Sequence, residues 1–300
     1  MSEAGPLALI VNPHSGGGRG LSALRTVERE LDHRRVPFRA DLTESLGHAA
    51  ELALAAIESE EIPVAVGGDG LIGAVGGALA GAPLPRGLIP AGRGNDLARG
   101  LGIPSDPGQA LEVILSGNRR TIDVGEANGE RFLGIASVGF DSRANRIAND
   151  SRLPSGRLVY SLAALRALAT WEAVRFSIAL DGETKRFTGY TVALANNGYY
   201  GAGMHLAPDS DISDGLLDLI TVSGTSRLRF LSQLPKVFSG SHIELEEVDC
   251  IKVREVEVAA SRPFEVYADG DPLTRLPAVF RVLHNALEVM APADTGDPGS

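Results

Sequence analysis

The apolar positions of this chain fall into two regimes. In the first, short apolar runs alternate with stretches of helical spacing. Leu7 to Val11 is a run of five and reads as a strand; Leu21, Leu24, Val27 and Leu31 follow at helical spacing. Phe38 to Leu42 reads as a second strand, followed by an Ala-rich helix from about His48 to Ser59. Ile62, Val64 and Val66 suit a third strand, which runs into Gly67-Gly68-Asp69-Gly70 and then a helix expected from near Leu71 to about Ala80. Gly87 to Pro90 is a fourth strand, and the Gly-rich turn Ala91 to Asp96 opens a helix that Asn95 or Asp96 can cap. A further helix covers about Gly108 to Leu115. Strands alternating with helices predict a parallel sheet with helices on both faces, an α/β domain.

After Gly117 the pattern changes. Thr121 to Ala127, Asn128-Gly129, then Arg131 to Val138 reads as a hairpin with a type I′ turn. Val174 to Leu180, Asp181-Gly182, then Arg186 to Ala195 reads as another. Leu216 to Val222, Ile251 to Ala259, Phe264 to Ala268, Val279 to Leu283 and Leu287 to Met290 add strands, and Leu158 to Trp171 and Leu228 to Phe238 read as helical insertions. This predicts a mostly antiparallel β-sandwich as the C-terminal domain. The expected division is residues 1–121, residues 122–292 and a disordered tail over 293–300; the pattern leaves open whether the last strand packs on the first domain.

Composition narrows the function. A net charge of −10 argues against a nucleic-acid partner. The single Cys250 excludes an intramolecular disulfide and a Cys-based metal site, and its strand setting is read as packing. No apolar run approaches the roughly 18 residues needed to span a membrane, and Met1 to Pro6 lacks a signal-peptide pattern, so the cytoplasm is the expected location. Against the acidic whole, Asp141 to Arg175 holds six Arg and three acids, with Leu158, Leu162, Leu165, Leu168 and Trp171 among them. A basic, apolar stretch suits docking on anionic lipid; covering the sandwich is the alternative use of its Leu face.

The candidate chemistry lies in five short motifs. Asn12-Pro13-His14-Ser15-Gly16 follows the first strand, but matches neither the dinucleotide-binding nor the Walker A spacing. In Gly67 to Gly73 four of seven residues are Gly, and the helix N-terminus that follows favours anions such as phosphates. Asp69 in that turn calls for a cation or proton donor nearby, which points to Mg²⁺-nucleotide chemistry. Read alone, the turn is equally compatible with a tight strand-to-helix connection. The loop Asp209 to Asp218 clusters carboxylates suited to a hard cation, or is an acidic solvated turn; Asp269-Gly270-Asp271 by itself reads as a hairpin turn. The Gly/aromatic loop Asn196 to Met204 could line an acceptor pocket or turn a corner.

Taken together and in order, Asn12-Pro13-x-Ser15-Gly16, Gly67-Gly68-Asp69-Gly70, Gly92-x-x-Asn95-Asp96-x-Ala98-Arg99, Ala207-Pro208 through Asp214-Gly215-Leu216, and Asp269-Gly270-Asp271 resemble the diacylglycerol-kinase-type lipid kinases, a family that includes sphingosine and ceramide kinases. The resemblance implies an N-terminal domain like that of NAD kinases and phosphofructokinases and a C-terminal β-sandwich. It implies transfer of the ATP γ-phosphoryl to a lipid hydroxyl, most simply diacylglycerol to phosphatidic acid. Asn12, Pro13, His14, Ser15, Gly16, Thr43, Gly67, Gly68, Asp69, Gly70, Leu71, Ile72, Gly73 and Arg93 match its ATP-contacting positions. Asp211, Asp214 and Leu216 match its Mg²⁺ site, and Asp271 its proton acceptor; Asp69 would orient the metal or the acceptor. The chain departs from the family at Leu71 (commonly Thr), at Gly73-Ala74 (often Asn-Glu), at Arg93 (often Thr) and at Asp271 (commonly Glu). Arg93 is read as a compensating phosphate contact. The resemblance also implies peripheral association with the inner face of the membrane, and a homodimer. The competing readings are an NAD kinase and a catalytically weak lipid- or nucleotide-binding regulator.

Overall fold

The computed structural model describes residues 5–139, 173–201 and 203–293. The chain forms two compact units, one running to Val124 and resuming at His284, the other Gly125–Leu283. The division expected after residue 121 falls after residue 124, and the residues beyond 283 go with the first unit rather than the second.

In the first unit β1 (Leu7–Val11), β2 (Phe38–Leu42), β3 (Ile62–Gly67) and β4 (Gly87–Pro90) form a parallel sheet in the order β2-β1-β3-β4. Every residue of β1, β3 and β4 is buried, as a parallel sheet covered on both faces requires. Edge strand β2 instead carries Arg39 and Asp41, which pair with each other, and Arg39 also pairs with Glu61. Charge on an edge strand discourages pairing with another chain. Helix α1 (Arg19–Arg34) buries the predicted stripe Leu24, Val27 and Leu31 and packs with α5 (Pro107–Ser116), while α2 (Leu46–Glu58) packs with α3 (Asp69–Ala78). Ser45 and Asp106 cap α2 and α5 through His48 N and Gln109 N. Helix α3 starts at Asp69, two residues earlier than expected, so Asp69 belongs to its first turn.

The pattern left the last strand unplaced; the structure places it. The stretches expected as two strands, Val279 to Leu283 and Leu287 to Met290, are one strand, called β17 here (Ala278–Met290). Its last residues bond to the first unit: Arg86 N donates to Glu288 O at 3.1 Å and Met290 N to Arg86 O at 2.7 Å. The Arg86 side chain is buried and donates to the carbonyls of Leu79, Ala82 and Glu288. Burial pushes its guanidinium down to about 10. Asp123, also buried, accepts from His284 Nδ1 at 2.8 Å and Asn285 N at 2.7 Å.

The second unit is an antiparallel β-sandwich. Its strands are the end of β5 (Arg119–Ala127), β6 (Glu130–Phe132), β7 (Ile135–Gly139), β8 (Val174–Leu180), β9 (Glu183–Ala195), β10 (Tyr199–Tyr200), β11 (Met204–His205), β12 (Leu217–Ser223), β13 (Val248–Val253), β14 (Glu255–Ala260), β15 (Glu265–Ala268) and β16 (Asp271–Arg275), with the first part of β17. The main path runs β16-β15-β7-β9-β8-β14-β17-β5-β6; β12 pairs with β9 and β13. Phe132, Phe176 and Phe280 are among its fully buried side chains. Asn128 and Gly129 have φ of 53° and 90°, the signature of the expected type I′ turn. The strand expected over Arg131 to Val138 breaks at Leu133-Gly134, and β7 leaves to pair with β9 and β15. The strand expected over Ile251 to Ala259 is likewise two, β13 and β14. Cys250 lies on β13 but is exposed, so packing is not its role. The insertion expected at Leu228 to Phe238 is a helix over Arg227–Gln233 followed by a 3-10 turn over Leu234–Phe238. Pro235, which has no N–H, stands where the pattern changes. The helix expected at Leu158 to Trp171, most of the Arg-rich stretch, and residues 294–300 lie outside the described residues.

Candidate active site

Three loops of the first unit meet at the carboxyl ends of β1, β3 and β4, where open α/β sheets bind ligands. After β1, Asn12 Oδ1 accepts from His14 N at 2.9 Å, which folds the loop over Ser15. Ser15 is buried, and its Oγ accepts from Gly68 N at 3.2 Å, tying this loop to the one after β3. Thr43 is buried at the end of β2, its N–H donating to Val11 O at 2.8 Å. The loop after β4 approaches still closer. A Cβ on Gly92 would lie 2.4 Å from Gly68 Cα, and one on Gly68 would lie 3.0 Å from Gly92 Cα. Only a pair of glycines lets these two backbones touch.

Asp69 joins the same two loops. Its Oδ2 accepts from Asn95 N at 2.7 Å, and its Oδ1 from Asp96 N at 2.6 Å and Leu97 N at 3.3 Å. These are the opening N–H groups of α4 (Asp96–Gly100), so Asp69 caps a helix 27 residues away. This corrects the expectation that Asn95 or Asp96 does so. Asn95 stands at the cap position with φ 54°, makes no side-chain cap bond, and turns its Oδ1 to Gly92 N at 2.8 Å. Burial raises the Asp69 carboxyl above its ordinary range, while the three N–H bonds pull the other way.

The other expected nucleotide positions divide by exposure. Leu71 and Ile72 are 2% and 1% exposed, so their side chains are core, and only their backbone can face a ligand. Gly16, Gly70, Gly73 and Pro13 are partly exposed, while His14 and Arg93 are exposed. Arg93 has no ion-pair partner among the described residues.

In the second unit the Asp269-Gly270-Asp271 turn splits its two carboxylates between tasks. Asp269, with φ 51°, accepts from Leu133 N at 3.0 Å and Gly134 N at 2.9 Å. It thereby holds the corner that breaks the expected strand. This role was not read from the sequence, where the only signal was an Asp in a turn. Asp271 opens β16 and is exposed, and its carboxylate has no hydrogen-bond or ion-pair partner among the described residues. Partial desolvation raises its carboxyl above the ordinary range. The Gly/aromatic loop folds as a small hairpin, with Tyr199 stacked on His205 at 4.5 Å and Tyr200 Oη 3.2 Å from Ser137 Oγ.

The acidic loop offers oxygen donors only, a chemistry suited to a hard cation. Asp211 Oδ1 accepts from Ser213 N and Oγ, at 3.0 Å and 2.7 Å. Asp214 accepts from Leu216 N at 2.9 Å and is paired with Lys252. Leu216 can contribute only a backbone carbonyl. Asp218, on β12, is buried, and desolvation raises its carboxyl, with Lys252 opposing. The donors therefore fit Mg²⁺ in kind, but a cation at Asp214 competes with the Lys252 ammonium. Among the described residues no group of three or more His, Cys, Asp or Glu side chains is placed to hold a metal ion.

Known proteins reproduce both halves of this chain. Residues 6–127 match the diacylglycerol kinase catalytic domain, and residues 134–291 match the YegS C-terminal NAD kinase beta sandwich-like domain. A diacylglycerol kinase of Mycobacterium tuberculosis is 36% identical, covering 97% of this chain and 96% of the relative. One from Bacillus subtilis is 31% identical over 96% of this chain and 97% of its own. The crystal structure of a diacylglycerol kinase from Bacillus anthracis superposes with a TM-score of 0.76 at 22% identity, covering 97% of this chain and 98% of that one, a likeness of fold. With both domain models matched in order and relatives aligned along almost its whole length, the chain belongs to the diacylglycerol kinase family of lipid kinases.

Proposed function

We propose that this lipid kinase transfers the γ-phosphoryl group of ATP, taken with Mg²⁺, to the hydroxyl of diacylglycerol. The observation that carries the reading is the Asp69 clasp. One carboxylate fixes two glycine loops at the strand ends, so the opening N–H groups of α3 at Gly70 and Leu71 form a prepared cradle for phosphate oxygens. Phosphoryl transfer relies on positioning and charge neutralisation more than on covalent help. Asp69 has both oxygens committed to backbone, so in this proposal it positions the cradle rather than touching metal or acceptor. Ser15 holds the first loop against Gly68, and exposed Arg93 supplies a cation for phosphate oxygens.

Mg²⁺ bound with the nucleotide supplies charge neutralisation at the β- and γ-phosphates. Asp211, Asp214 and the Leu216 carbonyl are the residues that would hold a further ion. Asp271 takes the acceptor's proton at its carboxylate, and its raised pKa makes it the better base. The diacylglycerol names of the 36% and 31% identical relatives favour that acceptor.

The test is transfer of labelled γ-phosphate from Mg-ATP to dioctanoylglycerol, ceramide, sphingosine, undecaprenol and NAD, with Asp271→Asn alongside. Labelled phosphatidic acid that vanishes in the variant supports the proposal. Label in another lipid changes the acceptor, and label in NAD overturns the reading.

A further inference from the structure

Strand β7 is entered through the corner Leu133-Gly134, and it lies between β9 and β15. Its pairing with β9 starts at Ile135 opposite Ala195, and its pairing with β15 joins Ser137 to Tyr267 and Ala136 to Ala268. Ala195 and Ala268 are the last residues of their strands. The residue after each, Asn196 on one side and Asp269 on the other, closes on the corner. Asp269 accepts from the N–H groups of Leu133 and Gly134, at 3.0 Å and 2.9 Å. Asn196 serves the two carbonyls. Its Nδ2 donates to Leu133 O at 3.0 Å and its backbone N to Gly134 O at 3.0 Å. All four backbone polar groups of this dipeptide are thus taken by two residues, 63 and 136 positions along the chain from Leu133.

The fit leaves no slack. A Cβ on Gly134 would lie 2.3 Å from Asp269 Oδ1, so glycine is what admits the carboxylate. Asn196 and Leu133 are each 1% exposed, so water does not readily replace a lost amide bond to Leu133 O. What the clamp holds is the turn that carries Asp271. The ladder between β15 and β7 has two residue pairs, and the two Asp269 bonds carry that attachment on to the turn itself. Asn196 ties the same corner to β9, which pairs with β7, β8 and β12. The loop that the sequence left as either a pocket lining or a turned corner therefore begins by holding a corner, and that corner bears on the Asp271 turn. Supporting bonds of this kind, one residue removed from the reacting group, set how closely a carboxylate is held.

We infer that Asn196 is a positioning residue for proton transfer: through Leu133-Gly134 and Asp269 it fixes the turn that presents Asp271. The inference rests on the reading that Asp271 takes the acceptor's proton, and adds to it what holds that carboxylate in place. Misplacing a reacting group by about 1 Å can cost about 10²-fold in rate.

The experiment is a double-mutant cycle on the full chain: wild type, Asn196→Ala, Asp271→Asn and the two combined. Each is assayed for kcat and KM with Mg-ATP and dioctanoylglycerol, and for amide exchange at Leu133 and Gly134. Asn196→Asp keeps the side-chain shape and removes the donor to Leu133 O, and it takes the place of Asn196→Ala in the cycle if the latter does not fold. The expected result is a kcat lower by about 10- to 10²-fold in either Asn196 variant, with both KM values within about twofold of wild type. Exchange at Leu133 and Gly134 should be faster, and the combined variant should be no slower than Asp271→Asn alone, because both changes act on one group. Faster exchange with a wild-type kcat would make the clamp a matter of folding only and overturn the inference. A loss that multiplies with that of Asp271→Asn would also overturn it, since Asn196 would then act through another group. Asp271→Asn turning over like wild type would remove the proton-acceptor reading and this inference together, whereas an inactive Asp271→Asn beside fully active Asn196 variants would remove the inference alone.

Discussion

Two glycine-flanked acidic turns, one in each unit, look alike in sequence and differ in what their carboxylates do. In Gly67-Gly68-Asp69-Gly70 the sole carboxylate is bound by three backbone N–H groups of a distant helix start. In Asp269-Gly270-Asp271 the first carboxylate is bound by two N–H groups of a distant corner, and the second is held by none among the described residues. The difference teaches that an Asp beside glycine is as readily a backbone fastener as a reactive group. A carboxylate with every oxygen engaged can shape a site, whereas proton transfer needs one with capacity left. Of these three, only Asp271 meets that description among the described residues.

The comparison can be broken by substitution. The largest effect is expected at Asp271. Asp271→Asn should lower turnover about 10²–10⁴-fold, the usual contribution of a general base, with unfolding unchanged within about 0.5 kcal/mol because the side chain is exposed. Steady-state rates and urea unfolding check both halves. Next comes Arg86, the same fastening with the charges reversed. Arg86→Met would strand the carbonyls of Leu79, Ala82 and Glu288 and should cost about 3 kcal/mol in urea unfolding. Asp69→Asn keeps the shape but turns an amide donor toward N–H donors. It should cost about 2 kcal/mol and raise the KM for ATP, because the cradle loosens. The smallest effect is in pH. Asp271 must be ionised to accept a proton, and partial desolvation raises its carboxyl above the ordinary carboxylate range. Turnover should therefore be full above that raised pKa and fall as pH drops through it, with the acid limb lying above the ordinary Asp range. An acid limb unchanged in Asp271→Glu and Asp271→Asn would detach it from this residue.

Much of the first unit was legible because its strands are buried on both faces and read as unbroken apolar runs. The span of β1 and the β3–glycine–α3 sequence follow from Leu7 to Val11 and from Ile62 to Gly70 alone. What was not legible depends on partners far away in sequence. No local pattern says that Asp69 caps α4, that Asp269 breaks a strand at Leu133-Gly134, or that Arg86 receives the last strand. Leu71 and Ile72 were grouped with nucleotide contacts because they match the ATP-contacting positions of the family the chain resembles; burial assigns their side chains to packing. Cys250 shows the reverse error, since a strand position does not decide which face is covered.

The most direct test of the distinction is amide hydrogen exchange at Asn95, Asp96 and Leu97 in Asp69→Asn and Asp271→Asn. The account predicts that exchange at these three amides accelerates in Asp69→Asn and keeps its wild-type rate in Asp271→Asn, while only the latter keeps full stability as turnover disappears. Wild-type protection of the three amides in Asp69→Asn, or their loss of protection in Asp271→Asn, would contradict it.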